Sequence, residues 1–318
     1  MVTVAESEYP LASRRRRRFS RQRVGRGLAP YALLAPAAAV IGVILAYPLY
    51  LLVSLSFQKY GLFELIRHKG RWIGVDNYTN ILHDSQFWQV LGRTVLFTVA
   101  AVSLTMVLGT AIAMLLVQVS RFMRLALTTG LVLVWATPVV VAVDIWRWMV
   151  DFEFGVANYA LTKLHLGDFI RHDWFESPWS GFGVITALVV WGAIPFVTIT
   201  VYAGLAQVPQ ELLEAAAIDG AKPWSVFREV TLPLLKPIFV ILISLSIIWD
   251  FQVFQQIWIM LDQRPASDYY TMAIYAFSQS FRLSEYGLGS AIAVMMVFFM
   301  FLATIVYLRQ MLKAGEVH

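Results

Sequence analysis

The side chains best suited to handling a ligand in this chain are amides. Gln252, Gln255 and Gln256 fall within about 100° of one helical face, and Trp249 lies on that face too. Amides both donate and accept hydrogen bonds, and an indole is an apolar platform, so the set suits the hydroxyls and ring faces of sugars. The same amides are equally able to bond to a neighbouring helix. Asp250 projects about 160° away from Gln252. Asp144 and Arg147 stand three residues apart and are spaced to form an ion pair. Catalysis and metal binding have less to work with. There is no Cys, and His68, His83, His165, His172 and His318 form no ligand pair at helical spacing. Asp151, Glu153, Asp168, His172 and Asp173 gather in one segment, yet their spacing matches no catalytic motif. A G-x-x-x-x-G-K-[ST] phosphate loop is absent.

The elements that must hold these residues are membrane spans. Of 318 residues, 59% are hydrophobic and 14% are charged, where a soluble domain carries about 25% charge. That composition excludes a soluble enzyme, and the 11 Trp, 21 Phe and 13 Tyr exclude disorder. Charge-free runs cover Gly27 to Gln58, Thr94 to Ser120, Leu125 to Val143, Ser177 to Gln210 and Tyr286 to Leu308; Lys236 to Asp262 encloses only Asp250. A crossing helix needs about 20 apolar residues. The runs predict six spans, at 30–57, 91–118, 125–149, 182–206, 237–261 and 287–310. Pro138 and Pro195 fall inside spans three and four, where they predict kinks. Fifteen of the 25 Lys and Arg lie on the side that holds both termini, which predicts cytoplasmic termini. Arg14 to Arg18 dominate that count and are read as a topology anchor, with no nucleic-acid partner. The outer loops carry Trp72, Trp88, Trp174 and Trp179, read as an interfacial belt or a docking surface.

The loop at 207–236, between spans four and five, is built of helix formers rather than tether residues. Its first helix is predicted over 209–218, with Pro209 in the first turn and Glu211 and Glu214 near the positive end of the dipole. Asp219-Gly220 stops it, since Gly accepts the left-handed conformation. Pro223 starts a second helix, 223–230, with Trp224, Phe227 and Val230/Thr231 on one face. Pro233 and Pro237 then punctuate the approach to span five. The expected shape is a rigid elbow whose corner, Ala217 to Ala221, is small and smooth.

Glu214-Ala215-Ala216-Ala217-Ile218-Asp219-Gly220-Ala221, followed by Trp224, Phe227 and Leu232-Pro233, resembles the EAA loop of binding-protein-dependent ABC importer permeases. The resemblance implies an all-α integral membrane protein of six transmembrane helices with the MetI-like permease fold, over residues 28–318. The basic tail 1–27 lies outside it. It also implies that the elbow at 211–230 is a coupling helix seated on a dimeric cytoplasmic ATPase. Glu214 would make the polar contact and Gly220 the turn. Ala215, Ala216 and Ala221 would permit close approach, with Asp219, Trp224 and Phe227 completing the contact. ATP and Mg would be bound by that ATPase, and this chain would hold no cofactor and catalyse no reaction. The remaining implied partners are a second permease chain, an extracytoplasmic sugar-binding protein and the bilayer of the bacterial cytoplasmic membrane.

The loop variant looks like the sugar-importer branch, of the maltose and glycerol-phosphate type. The branch's Gly-Gly-Pro after span five reads Asp262-Gln263-Arg264-Pro265 here. Two alternatives stay open: a permease for a non-sugar solute such as a glycerol-phosphate compound, and an integral-membrane transferase.

Overall fold

The computed structural model describes residues 33–313; the tail at 1–27, with Arg14 to Arg18, lies outside them. The chain divides into two units, residues 1–51 and 52–318. The described part of the first is helical and belongs to the first span, Leu33–Ser56. A π-helical turn at Gly42–Ala46 interrupts its α-helical pattern.

The second unit is a helical bundle. Its spans are Ser85–Gln118, Pro178–Leu205, Pro223–Phe251 and Tyr286–Lys313, with Arg121–Ala136 and Val139–Met149 forming a bent pair. Shorter helices at Leu62–Arg67, Asp76–His83 and Val156–Lys163 fill two of the loops. One departure from an all-α chain is a two-stranded antiparallel hairpin that pairs Gln58 with Trp72 and Lys59 with Arg71.

Spans two and four form the centre. Span two buries Phe97, Ala101, Val102, Met106, Ala113 and Leu116 at helical spacing, and span four buries Val184, Ile185, Leu188, Val197 and Val201. The helices approach closely because Gly109 faces Val197: a Cβ at Gly109 would lie 2.7 Å from Val197 Cγ1. Thr198 Oγ1 donates across the same contact to the Gly109 carbonyl at 3.2 Å. Small residues and interhelical hydroxyl bonds of this kind hold helices together in lipid, where the hydrophobic effect between them is absent. Arg124 closes the C-terminal end of span two by donating from Nε to the Leu116 carbonyl at 2.8 Å. Asp84 caps the N-terminal end, accepting from Gln86 N at 2.9 Å and from the Tyr275 hydroxyl at 2.9 Å. Tyr269 ties the loop between spans five and six to the start of span four by donating to the Phe175 and Ser177 carbonyls. Burial, with the Asp173 and Asp268 carboxylates nearby, pushes that hydroxyl up to about 12, so it remains a donor at any physiological pH.

Two spans are broken where the sequence predicts continuity. Span three, expected over 125–149, turns by 102° between Ala136 and Val139. Pro138 has no N–H and forces Thr137 into an extended conformation, so the predicted kink becomes a break. Span five, expected to reach 261, ends at Phe251, and a separate helix covers Gln255–Met260. By contrast, Pro195 sits inside an unbroken helix. Trp174 also departs from the belt reading: it stacks on Phe169 and donates from Nε1 to Asn158 Oδ1 at 2.6 Å, while Trp72, Trp88 and Trp179 are exposed.

Gly109→Ala should lower stability by about 1–3 kcal/mol, because the methyl group collides with the branched carbon of Val197. Denaturant unfolding of the purified protein in detergent measures it. Unchanged stability would mean that spans two and four can part without cost.

Candidate functional site

Local chemistry builds the elbow from the residues outward. The first helix is Gln210–Ile218, with Pro209 at its N-cap, one position earlier than expected. Gln210 Nε2 donates to Glu214 Oε1 at 2.9 Å, one turn along. Gly220 then takes φ +75, and nothing lies within 4 Å of where its Cβ would be. Ala221 N–H returns to the Ala216 carbonyl at 3.0 Å and Gly220 N–H to the Ala217 carbonyl at 3.1 Å, a Schellman closure. The corner therefore satisfies the Ala215, Ala216 and Ala217 carbonyls within its own backbone.

Beyond the corner the structure corrects the expected layout. The second arm does not stop near 230. It begins at Pro223 and runs into span five as one helix, Pro223–Phe251. Pro233 cannot supply the N–H that the Glu229 carbonyl would use, and its ring would press on that turn. The helix widens into a π-turn over Phe227–Thr231, with Leu232 N–H reaching the Phe227 carbonyl, and so passes both prolines. On this arm Trp224 is 69% exposed and stacks near Phe227, with ring centroids 5.6 Å apart, while Thr231 is buried. Ile218 at the corner is 87% exposed. Glu214, Ala215 and Asp219 are exposed beside it, and Ala216, Ala221 and Phe227 are half-buried. An apolar cavity of about 330 Å³ separates Ala217, Ala221 and Phe227 from Met114, Val117 and Leu205 at the ends of spans two and four. All eight proposed coupling residues thus lie on one compact projection.

At the other end of the same helix, the four substrate-path residues meet by a route the sequence did not suggest. Gln252 is not on a helical face. It is the C-cap of span five, with φ −101 and ψ 18, and Gln255 and Gln256 open the next short helix. The break folds them back so that Trp249, Gln252, Gln255 and Gln256 all line one cavity of about 350 Å³. Asp250, expected on a different face, lines it too. The far wall is Trp135, at the bend of span three, and Gly192, Ala193 and Phe196 of span four. Phe196 meets Trp249 edge to face, with centroids 5.3 Å apart. Sequence periodicity missed Trp135 and Asp250. Pro138 next to Trp135 was the available signal, since breaks in transporter helices border cavities.

Arg147 does not pair with Asp144. It forms an ion pair with Asp262, in the turn after the short helix. Asp262 and Gln263 there adopt φ 52 and φ 60, the left-handed region that glycine favours.

A bundle of broken apolar spans, an exposed self-closed elbow and a polar cavity joined by one helix define a membrane transport permease rather than an enzyme. Residues 105–311 match the family described as binding-protein-dependent transport system inner membrane component, and the chain belongs to that family. The diacetylchitobiose uptake system permease protein DasB of Streptomyces coelicolor is 41% identical over 289 residues, which are 91% of this chain and 88% of the relative. The sulfoquinovosyl glycerol transport system permease protein SmoG of Agrobacterium fabrum is 34% identical, over 87% of this chain and 88% of the relative. The fold matches a chain in the crystal structure of a bacterial ABC transporter involved in the import of the acidic polysaccharide alginate. The TM-score is 0.77 at 18% identity, covering 92% of this chain and 98% of that one.

Since the chain has no Cys, a single introduced thiol reports its own surroundings. Gln252→Cys should react with a water-soluble maleimide on the order of tenfold faster than Ile185→Cys, which is fully buried in the core. Equal rates would mean that the cavity at the break excludes water.

Proposed function

We propose that this chain is the sugar-translocating permease subunit of an ATP-driven importer in a bacterial cytoplasmic membrane. One observation carries the reading: the elbow and the amide-lined cavity are the two ends of a single helix, Pro223–Phe251. A displacement of the elbow is then a displacement of the cavity wall. A helix of this length is stiff enough to transmit a push that a polar tether would absorb. Glu214, Ala215, Ala216, Asp219, Gly220, Ala221, Trp224 and Phe227 form the surface that docks on the ATPase. Exposed Ile218 and Trp224 give that contact an apolar component.

ATP and Mg belong to the ATPase, which supplies the energy of hydrolysis. This chain's residues receive the motion. Trp249 and Trp135 offer ring faces to a sugar, and Gln252, Gln255 and Gln256 exchange hydrogen bonds with its hydroxyls. The cavity is only partly enclosed, which suits closure by a second permease chain. A dimeric motor needs two elbows, and this chain has one. The family description itself supports delivery by a binding protein. The placement of basic residues supports cytoplasmic termini, which puts the elbow on the ATPase side. The diacetylchitobiose and sulfoquinovosyl glycerol for which DasB and SmoG are named support a glycoside as cargo rather than an unrelated solute.

Gly220→Trp should assemble and hydrolyse ATP while sugar uptake falls about tenfold or more. No L-residue holds φ +75 without costing about 1–2 kcal/mol, and the open space at Gly220 leaves only strain and docking to be disturbed. Uptake and ATP hydrolysis measured on the same preparation check it; wild-type uptake would refute the coupling role. In the Cys-free background, Ile218→Cys should be labelled by an impermeant maleimide only from the cytoplasmic face. Labelling from outside would invert the topology.

A further inference from the structure

Among the residues lining the cavity at the span-five break, Asp250 alone is ionisable. It is only 5% exposed, and its Oδ2 is shut off from solvent with no hydrogen-bond donor among the described residues. The hydroxyls of Thr98, Thr105 and Thr110 also lack a partner, but they are neutral and none of them lines this cavity; other buried polar side chains are answered. Asn77 Nδ2 reaches the Ser56 and Gln58 carbonyls, Asn158 accepts from Trp174, and Thr198 reaches Gly109. The Asp250 backbone carbonyl is also satisfied, by the N–H groups of Gln252 and Val253 at the break. Only its carboxylate is left over. An ionised carboxylate accepts hydrogen bonds and donates none, so its missing partner must be a donor. Burying it without one is unfavourable, and the space it borders is where a ligand enters.

We propose that Asp250 is a specificity-determining residue of the cavity. It accepts hydrogen bonds from hydroxyl, amide or amine groups of a neutral or cationic sugar, and its charge disfavours sugars that carry a carboxylate or sulfonate. The proposal rests on the reading of the cavity as the substrate path. It adds the chemical class of sugar that the path admits. Burial of Asp250 strengthens both effects, attraction for donors and repulsion of anions, relative to water.

The test uses the full transporter, with its second permease, ATPase and binding protein, and tritiated diacetylchitobiose, maltose and trehalose as probes. Sugar moved per ATP hydrolysed is measured for wild type, Asp250→Ala and the isosteric Asp250→Asn. Subunit stoichiometry is read by size exclusion. Asp250→Ala should lower the ratio about tenfold or more for the accepted sugar, and Asp250→Asn by less, because its amide oxygen still accepts. Binding to the permease–ATPase complex in nanodiscs, without the binding protein, adds the charge arm. There a digalacturonate should compete with the neutral sugar about threefold or more better in Asp250→Asn than in wild type. Wild-type ratios and unchanged competition in both variants would overturn the proposal. So would loss of the second permease from both variants, which would make Asp250 an interchain pairing group. Trp249→Ala separates the two readings. If it blocks uptake while both Asp250 variants transport normally, the cavity stands and the Asp250 role falls. If the wild type moves none of the probes, the sugar reading falls, and this one with it.

Discussion

Backbone hydrogen bonding is the constraint on which this molecule depends. Inside a bilayer no water can satisfy a free N–H or C=O, so a helix can end only where its own chain supplies partners. Both irregular points of the span-five helix obey this, and the exposed corner before it closes itself in the same way. At Gly220 the Schellman closure uses up the carbonyls of Ala216 and Ala217. At Pro233 a π-turn absorbs the missing donor, with Leu232 bonded back to Phe227. At Phe251 the Asp250 carbonyl takes the N–H groups of Gln252 and Val253, and Thr271 Oγ1 donates to the Val253 carbonyl at 3.3 Å. The helix between the first and third of these points, Pro223–Phe251, is consequently long and passes its prolines with one π-turn.

The exposed elbow and the amide-lined cavity are thus placed at opposite ends of one element. The elbow presents exposed small and apolar residues around a corner that closes itself, so it can be gripped without unfolding. The far end carries Trp249, Gln252, Gln255 and Gln256, which line the cavity. The packed pair of spans two and four, locked at Gly109 and Val197, offers a fixed surface against which such a helix can move. Spans three and five both break, and the two breaks face the same cavity from different sides: Trp135 just before Pro138, and Gln252 just after Phe251. Helix ends at a binding site expose side chains that a continuous helix would point into neighbours.

Much of this was legible in the chain alone. Five of the six spans follow from runs without charge, because a charged residue in lipid is costly wherever it lies. The elbow was legible down to single residues. A helix stop at Asp219-Gly220 and a restart at Pro223 are decided by local backbone preferences, which the chain carries with it. The cavity was half legible. Trp249, Gln252, Gln255 and Gln256 were grouped on the premise of a regular helix through 261, and they do line one cavity. They converge because that helix ends. Asp144 was matched with Arg147 by the same premise of local spacing, whereas Arg147 reaches Asp262, across more than a hundred residues.

What the sequence by itself determined was everything governed by transfer to lipid and by neighbouring dihedrals: the spans, the elbow, its glycine turn and the family. What the tertiary structure decided was where helices stop and which polar groups those stops bring together. The end at Phe251, the sharpness of the bend at Pro138 and the orphaned carboxylate of Asp250 depend on donors and acceptors far away in the chain. Their strength lies in packing and desolvation, which act through space and leave no period in the sequence.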